Sequence, residues 1–178
     1  VRKIVIIGCC GGGKTTLAYQ LSRKLSIEVY DLDDHFWHAG WVVTPDDRWQ
    51  EIQHELVGRD SWIISGTYTS TLDIRINAAD TIIFLDLPLW LCFWRVIKRK
   101  VKNYYGLEQS LPKRVQGSHK FGFKAIRSDL GFLLYVLKFK KNYNAPIRKI
   151  LDRVKADKKV IKLSSPKEVT EFVADVIR

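Results

Sequence analysis

Apolar and polar positions fall into blocks along this chain, and the period changes from block to block. Residues 3–7, Lys-Ile-Val-Ile-Ile, form a short apolar run ending at a glycine cluster. An unbroken β-branched run of that length predicts a strand buried on both faces, the mark of a parallel sheet. Leu17, Leu21 and Leu25 then recur every fourth position, which predicts a helix with one apolar stripe. Ile27 to Leu32 reads as a second strand. Pro45-Asp46-Asp47 suits a helix start, with Trp49, Ile52 and Leu56 on one face. Trp62-Ile63-Ile64 and Thr81 to Leu85 read as the third and fourth strands. Pro88 opens a helix that carries Leu91, Trp94 and Arg95 and runs to about Tyr104.

Residues 105–120 hold Gly106, Pro112 and Gly117 without a clear period, and read as a mobile lid loop. Residues 121–157 read as helical, with an apolar stretch near Phe132–Leu137 and a break near Asn144-Ala145-Pro146. Val160 to Leu163 is a last short strand. Ser164-Ser165-Pro166-Lys167-Glu168 supplies a cap, a first-turn proline and a carboxylate for the final helix. Strands alternating with helices predict a three-layer α/β architecture around a parallel sheet. The 178 residues fit a single domain, 1–178, with no internal repeat.

The glycine cluster changes this picture from a fold to a chemistry. Gly8-Cys9-Cys10-Gly11-Gly12-Gly13-Lys14-Thr15 matches G-x-x-x-x-G-K-[ST] in full, between a strand and a helix. Glycines let the backbone curl so that several N–H groups converge on one phosphate. A helix opening at Lys14 adds its positive end. Lys14 can reach the β- and γ-phosphates, and the Thr15 hydroxyl can ligate Mg²⁺. Gly8, Gly11, Gly12, Gly13, Lys14, Thr15 and Thr16 are therefore the expected nucleotide-binding residues. Cys9 and Cys10 fill free positions of the motif as small packing side chains.

Carboxylates follow the strands at the edge where α/β sheets bind ligands. Asp31-Leu32-Asp33-Asp34 follows the second strand, and alternation puts Asp31 and Asp33 on one side of it. Such groups can orient a metal's water or take a proton from an acceptor hydroxyl; an Asx turn or helix cap suits the same string. Thr81-Ile82-Ile83-Phe84-Leu85-Asp86 has the form of a Walker B strand, with Asp86 a metal ligand or a helix cap. His35 and His38 lie near the acidic group and could join a metal site. Phe36-Trp37-His38-Ala39-Gly40-Trp41 either walls a pocket for a flat acceptor or folds on itself as a lid.

Charge is divided unevenly. Residues 1–94 carry 8 basic and 12 acidic side chains, whereas residues 95–162 carry 20 and 4, a block of net charge +16. That field attracts anions, either nucleotide phosphates or a nucleic-acid backbone. The 46% hydrophobic content excludes intrinsic disorder as the main state. No apolar run reaches the roughly 18–20 residues that span a bilayer, and Val1 to Gly8 does not read as a secretory signal. Three cysteines, Cys9, Cys10 and Cys92, cannot all pair within one chain, which predicts a reducing, cytoplasmic setting.

Taken together, the motifs resemble a family. The glycine motif through Leu17, Asp31 to Trp37, Gly40-Trp41, Trp62-Ile63-Ile64-x-Gly66-x-Tyr68, Leu72-Asp73-x-Arg75, Ala79 to Asp86 and Trp90-Leu91-Cys92-x-x-Arg95 look like the bacterial DNA topology modulation proteins. These are small P-loop proteins similar to adenylate kinase and shikimate kinase, and the likeness covers roughly residues 1–100. It implies a P-loop kinase fold of the nucleotide-kinase type, with a five-stranded parallel sheet in order 2-3-1-4-5, a helical lid, and use of ATP with Mg²⁺. In shikimate-kinase-like relatives an Asp-x-Asp after the second strand serves metal and acceptor, and Asp31 and Asp33 match it. In adenylate-kinase-like relatives two arginines four apart contact nucleotide, and Arg95 and Arg99 match that spacing. Arg48 and Arg75 are further candidates for an acceptor's anionic group. Two departures stand out: Ser65 where the family has Asp, and a lid reading Leu111-Pro112-Lys113-Arg114.

Three functions follow as expectations. The first is Mg-dependent phosphoryl transfer from ATP to a small-molecule or nucleotide acceptor, with Lys14, Asp31, Asp33, Arg95 and Arg99 as catalytic residues and Thr15 and Asp86 on the metal. The second is a nucleic-acid-binding regulator that uses the 95–162 block, with ATP as switch or structural ligand. The third is a degenerate kinase, for which Ser65 speaks.

Overall fold

The computed structural model describes residues 1–105 and 123–176, with side chains described except at 104 and 123–130. The first apolar run forms strand β1 (Lys3–Gly8), and the glycine motif leads into helix α1 (Lys14–Leu25). There follow β2 (Val29–Asp31), the short α2 (Leu32–Phe36), a small antiparallel pair β3 (Trp37–His38) and β4 (Val42–Val43), and α3 (Asp46–Val57). Next come β5 (Trp62–Ser65), α4 (Leu72–Ala78), β6 (Thr81–Leu85) and α5 (Leu89–Tyr104). The last part holds α6 (Phe123–Phe139), α7 (Ala145–Val154), β7 (Lys159–Leu163) and α8 (Pro166–Asp175).

The main sheet has five strands in the order β2-β5-β1-β6-β7, every pair parallel. Counted along the sheet's own strands, that is the expected order 2-3-1-4-5. Its strands are apolar throughout because both faces are covered. Val5, Ile7, Ile64, Ile82 and Phe84 pack on one side against Trp49, Leu56, Leu72, Ile76, Val96 and Phe139, from α3 to α6. Ile4, Ile6, Ile63, Ile83 and Leu85 pack on the other side against Leu17, Ala18 and Leu21 of α1 and Phe172 of α8. The three layers arise from the two-residue period of the strands, which sends alternate side chains to opposite cores.

Register fixes the functional edge. Gly8 pairs with Leu85 of β6, and Ile6 with Ser65 of β5, so the glycine loop leaves the sheet between its two central neighbours. α8 starts as expected: the Ser165 hydroxyl accepts from the Glu168 amide at 3.2 Å, while the Glu168 carboxylate accepts from the Ser164 amide at 2.8 Å.

Two expectations are corrected. The second strand ends at Asp31, because Asp31 caps α2: its carboxylate accepts from the Asp33 amide at 3.1 Å. A cap carboxylate there outcompetes continued strand. The break expected near Asn144-Ala145-Pro146 is instead a wide π turn, Lys140–Asn144, joining α6 to α7 without interruption. Pro146 has no N–H to return to the preceding turn, and widening that turn accommodates its ring. The expected lid loop, 105–120, lies outside the described residues apart from residue 105.

Candidate nucleotide and acceptor site

The glycine loop is built by close approach. Gly11 has φ 77°, and a Cβ there would lie 2.3 Å from the carbonyl oxygen of Cys92 in the first turn of α5. Only glycine admits that contact. Gly12 N–H donates to the Cys9 carbonyl at 3.0 Å, and Gly13, at φ 87°, forms the cap of α1. Gly13 brings no capping side chain, so the first-turn amides of α1 are left to an anion. Thr67, just beyond β5, braces the loop's entry: its hydroxyl donates to the Gly8 carbonyl at 2.7 Å and accepts from the Gly8 amide at 3.1 Å.

Lys14 Nζ donates to the carbonyls of Gly8 and Cys9 at 3.1 and 3.2 Å, so the ammonium lies across the loop it belongs to. Arg95 of α5 reaches the same loop. One of its guanidinium nitrogens lies 3.8 Å from where a Gly13 Cβ would stand. Arg99, a turn further along α5, is close enough to act electrostatically on the Cys10 thiol. The neighbouring Cys9 thiol and the Lys14 charge hold Cys92 below the ordinary thiol range. The cysteines tie the loop to α5 as well as filling space.

The Asp-x-Asp joins this group. Thr15 Oγ1 donates to Asp31 Oδ2 at 2.7 Å, and Tyr68 Oη donates to Asp33 Oδ1 at 2.6 Å. Burial raises the Asp31 pKa and the Asp33 charge raises it further, against the Thr15 hydrogen bond. The Lys14 charge offsets only part of that penalty, and the groups beside the carboxylate are a hydroxyl and a second carboxylate. Hard oxygen donors so arranged suit Mg²⁺. Because burial raises the folded pKa, ionised Asp31 costs stability at neutral pH, and the cost fades below the ordinary carboxylate pKa. Asp31→Asn is therefore expected to raise the neutral-pH melting temperature by a few degrees, on the order of 1 kcal/mol for this chain size. The gain should vanish in acid, and affinity for magnesium nucleotide should fall; scanning calorimetry at pH 7 and pH 3.5 checks it.

Asp86 behaves differently from the expectation. Its side chain is only 5% exposed and meets Arg148 at 2.7 Å, Lys162 at 3.2 Å and Lys140 at 3.6 Å, while Asn144 Nδ2 donates to it at 2.8 Å. The partner the structure gives Thr15 is Asp31, and Asp86 instead anchors the π turn, α7 and β7 to the end of β6. Although burial alone would raise it, the Arg148 and Lys162 hydrogen bonds and the nearby lysines hold the Asp86 carboxyl below its ordinary pKa. The resulting stability is present above the ordinary value and is lost as pH falls through the lowered one. Asp86→Asn should cost about 2–3 kcal/mol at pH 7, as expected for losing hydrogen bonds to charged groups. The gap from wild type should close in acid, as read from urea unfolding at several pH values.

The two extra arginines are not free for an acceptor. Arg75 is fully buried and donates to the carbonyls of Gly66, Thr67 and Tyr68 at 2.6–2.9 Å. Burial lowers its pKa to about 9. It is the internal brace of the 66–68 turn that presents Tyr68. Arg48 pairs on the surface of α3 with Glu51 and Glu55 at 2.8 and 2.9 Å. Ser65 is buried between β1 and β2, with its hydroxyl unpartnered among the described residues. His38 Nε2 lies 3.0 Å from the Thr44 hydroxyl, and no group of three metal-ligating side chains occurs among the described residues. Tyr68 is the site residue that sequence reasoning missed as chemistry. Its place two residues after the Gly66 turn was the available signal.

No family model matches the chain. Over 105 residues it is 26% identical to the uncharacterized protein YqaC of Bacillus subtilis strain 168, a match spanning 58% of this chain and 59% of that protein. Among solved structures it is similar to shikimate kinase from Acinetobacter baumannii in complex with shikimate, at 15% identity and a TM-score of 0.58, covering 99% of this chain and 91% of that one. The fold is that of a P-loop kinase. Shikimate kinase from Bacteroides thetaiotaomicron, at 15% identity, gives a TM-score of 0.52 over 98% of this chain and 96% of that one. Deoxyadenosine kinase from M. mycoides, solved with products dCMP and dCDP, gives 0.51 at 14% identity, again over 98% and 96%. Within the P-loop kinase fold of this chain, the glycine loop, Lys14 and the Asp31–Thr15 pair lie together at the carboxyl edge of β1 and β2. No helix among the described residues is long and apolar enough to cross a membrane.

Proposed function

We propose that this chain is a magnesium-dependent kinase that moves the γ-phosphoryl group of ATP onto a hydroxyl of a small-molecule or nucleotide acceptor. The observation that carries this reading is the 2.7 Å bond between Thr15 and the half-buried Asp31 at the head of α1. It puts metal-type oxygens beside a loop made to hold phosphate. The triphosphate binds along residues 11–16, with Lys14 turning from the Gly8 and Cys9 carbonyls to the β- and γ-oxygens. Thr15 and Asp31 would hold Mg²⁺, which when bound neutralises charge on the phosphate oxygens. Asp33 accepts the proton of the acceptor hydroxyl as its oxygen bonds to the γ-phosphorus and the bond to ADP breaks. Tyr68 orients Asp33, and Arg95 and Arg99 offset charge on the transferring group.

A regulator that binds nucleic acid through the 95–162 block has less behind it. Lys140, Arg148 and Lys162 direct charge inward to Asp86, and no relative named above is described by nucleic-acid binding or DNA topology. Calorimetric titration with ATP, with and without Mg²⁺, followed by ADP formation over a panel of hydroxyl compounds, tests the proposal. Metal-dependent binding and acceptor-stimulated ADP are expected. Absence of binding refutes it, and binding without turnover on any acceptor reduces the nucleotide to a structural ligand.

A further inference from the structure

One short turn touches both halves of the site. Residues 66–68 follow the end of β5, and each of them makes a contact of its own. The Gly66 amide donates to the Ile6 carbonyl of β1 at 3.1 Å. Gly66 also lies so close to Leu32, the residue between Asp31 and Asp33, that a Cβ there would stand 2.8 Å from the Leu32 side chain. Thr67 is buried, and its hydroxyl donates to the Gly8 carbonyl at 2.7 Å and accepts from the Gly8 amide at 3.1 Å. It therefore holds both backbone groups of the first glycine in the phosphate loop. Tyr68 donates to Asp33 at 2.6 Å. The loop follows β1 and the Asp-x-Asp follows β2, and β5 lies between these strands in the sheet. Thr15 ties the head of α1 to Asp31, while the turn after β5 ties the entry of the loop to Asp33.

The turn is stiff. The buried Arg75 guanidinium donates to three successive carbonyls, those of Gly66, Thr67 and Tyr68, at 2.6, 2.9 and 2.9 Å. Tyr68 is held at φ 23° and ψ 77°. A bulky aromatic residue keeps such backbone only where its surroundings over-determine it, and such positions cluster at ligand clamps and switch regions. Its ring packs against Phe36 and Trp49 at 4.7 and 4.9 Å between centroids. Close-packed groups of this kind change arrangement together and deform little within themselves. A shift of Thr67 is therefore passed on to Tyr68.

The Gly8 carbonyl links this turn to the nucleotide. It accepts from Lys14 Nζ at 3.1 Å as well as from Thr67. Once Lys14 turns to phosphate, the Thr67 hydroxyl is the donor left to that carbonyl among the described residues.

We propose that Thr67 is a positioning residue that couples the two halves of the reaction: through Gly8 it sets the phosphate loop for magnesium ATP, and through the 66–68 turn it sets Tyr68, and with it Asp33, for the acceptor's proton. This rests on the kinase reading and adds to it how nucleotide binding prepares the acceptor side. The Thr67 hydroxyl is spent on Gly8 and takes no proton itself.

The test separates the hydroxyl from the volume of the side chain. Thr67→Val keeps the shape and removes the hydroxyl, whereas Thr67→Ser keeps the hydroxyl and removes the methyl group. Affinity for magnesium ATP is read by calorimetry on the whole chain. ADP formation is followed with water and with nucleosides, sugars and shikimate offered as acceptors. Thr67→Val should weaken magnesium ATP binding about tenfold and lower kcat about tenfold, while Thr67→Ser stays within about twofold of wild type on both. In a Tyr68→Phe background Thr67→Val should still weaken binding but lower kcat by less than about twofold, because the route to Asp33 is already cut. In the wild-type chain, magnesium ATP should slow amide exchange at residues 68–71 severalfold, although the nucleotide lies along residues 11–16. A purely packing role predicts the opposite pair, with valine tolerated and serine not. A loop brace without coupling predicts weaker binding, the same kcat loss in both backgrounds and unchanged exchange at residues 68–71. Either result overturns the proposal and leaves the kinase reading intact. Should Thr67→Val fail to fold, the exchange measurement on the wild-type chain decides between coupling and none. Failure of the wild-type chain to bind magnesium ATP, or binding without ADP formation from any acceptor, overturns both.

Discussion

Lys14→Ala should lower phosphoryl transfer by about 10³-fold, the usual cost of removing one preorganised donor from a charge-developing centre. The structure says why the loss falls on function and not on the fold. Among the described residues the ammonium bonds only the Gly8 and Cys9 carbonyls, and each carbonyl keeps a second donor when it is gone, the Thr67 hydroxyl and the Gly12 amide. The loop itself is held by other means: the Thr67 bonds to Gly8, the Gly12–Cys9 turn and the contact of Gly11 with the Cys92 carbonyl. The variant should therefore melt within about 2 °C of wild type, a change of well under 1 kcal/mol. ADP release under saturating acceptor, together with a melting curve, checks both halves. Lys14→Arg should recover little, since a planar fork does not replace a compact ammonium in a loop this tight.

Asp33→Asn should be the second large effect, a drop in kcat of about 10²- to 10⁴-fold with affinity for magnesium nucleotide nearly unchanged. Asparagine keeps an oxygen for the Tyr68 hydroxyl, so the 2.6 Å contact and the placement of the ring survive. What it loses is the capacity to take a proton. Asp31→Asn is the informative contrast, because there the nucleotide affinity should move. Tyr68→Phe should cost about tenfold in kcat, since it leaves the carboxylate in place and removes only its orienting hydroxyl. Stopped assays of ADP against acceptor concentration separate the three variants by their split between kcat and KM.

The sequence made some of this legible and hid the rest, for reasons that lie in the range of the interactions. β1, the glycine loop and α1 form from neighbours, so Ile4 to Leu17 could be read directly. The order of the five strands came from family likeness, and their pairing bears it out. The second strand was read too long because Asp31-Leu32-Asp33-Asp34 carries a local cap that competes with extension. Asp86 looked like a metal ligand because an apolar strand followed by Asp is all that proximity reveals. Its partners Asn144 and Arg148 lie 58 and 62 residues downstream. Arg75 looked available for the same reason, since the three carbonyls that bury it converge only when the chain turns after β5. The β3–β4 pair has two residues per strand and no period of its own, so nothing but its aromatic content marked it.

The most direct test of the account is a structure of this chain with a non-hydrolysable ATP analogue and Mg²⁺. The expected result is a triphosphate against the amides of residues 11–16, Lys14 moved from the Gly8 and Cys9 carbonyls onto phosphate, and the metal held by Thr15 and Asp31. A triphosphate bound elsewhere, or a metal on Asp86 with the Thr15–Asp31 pair undisturbed, would contradict it.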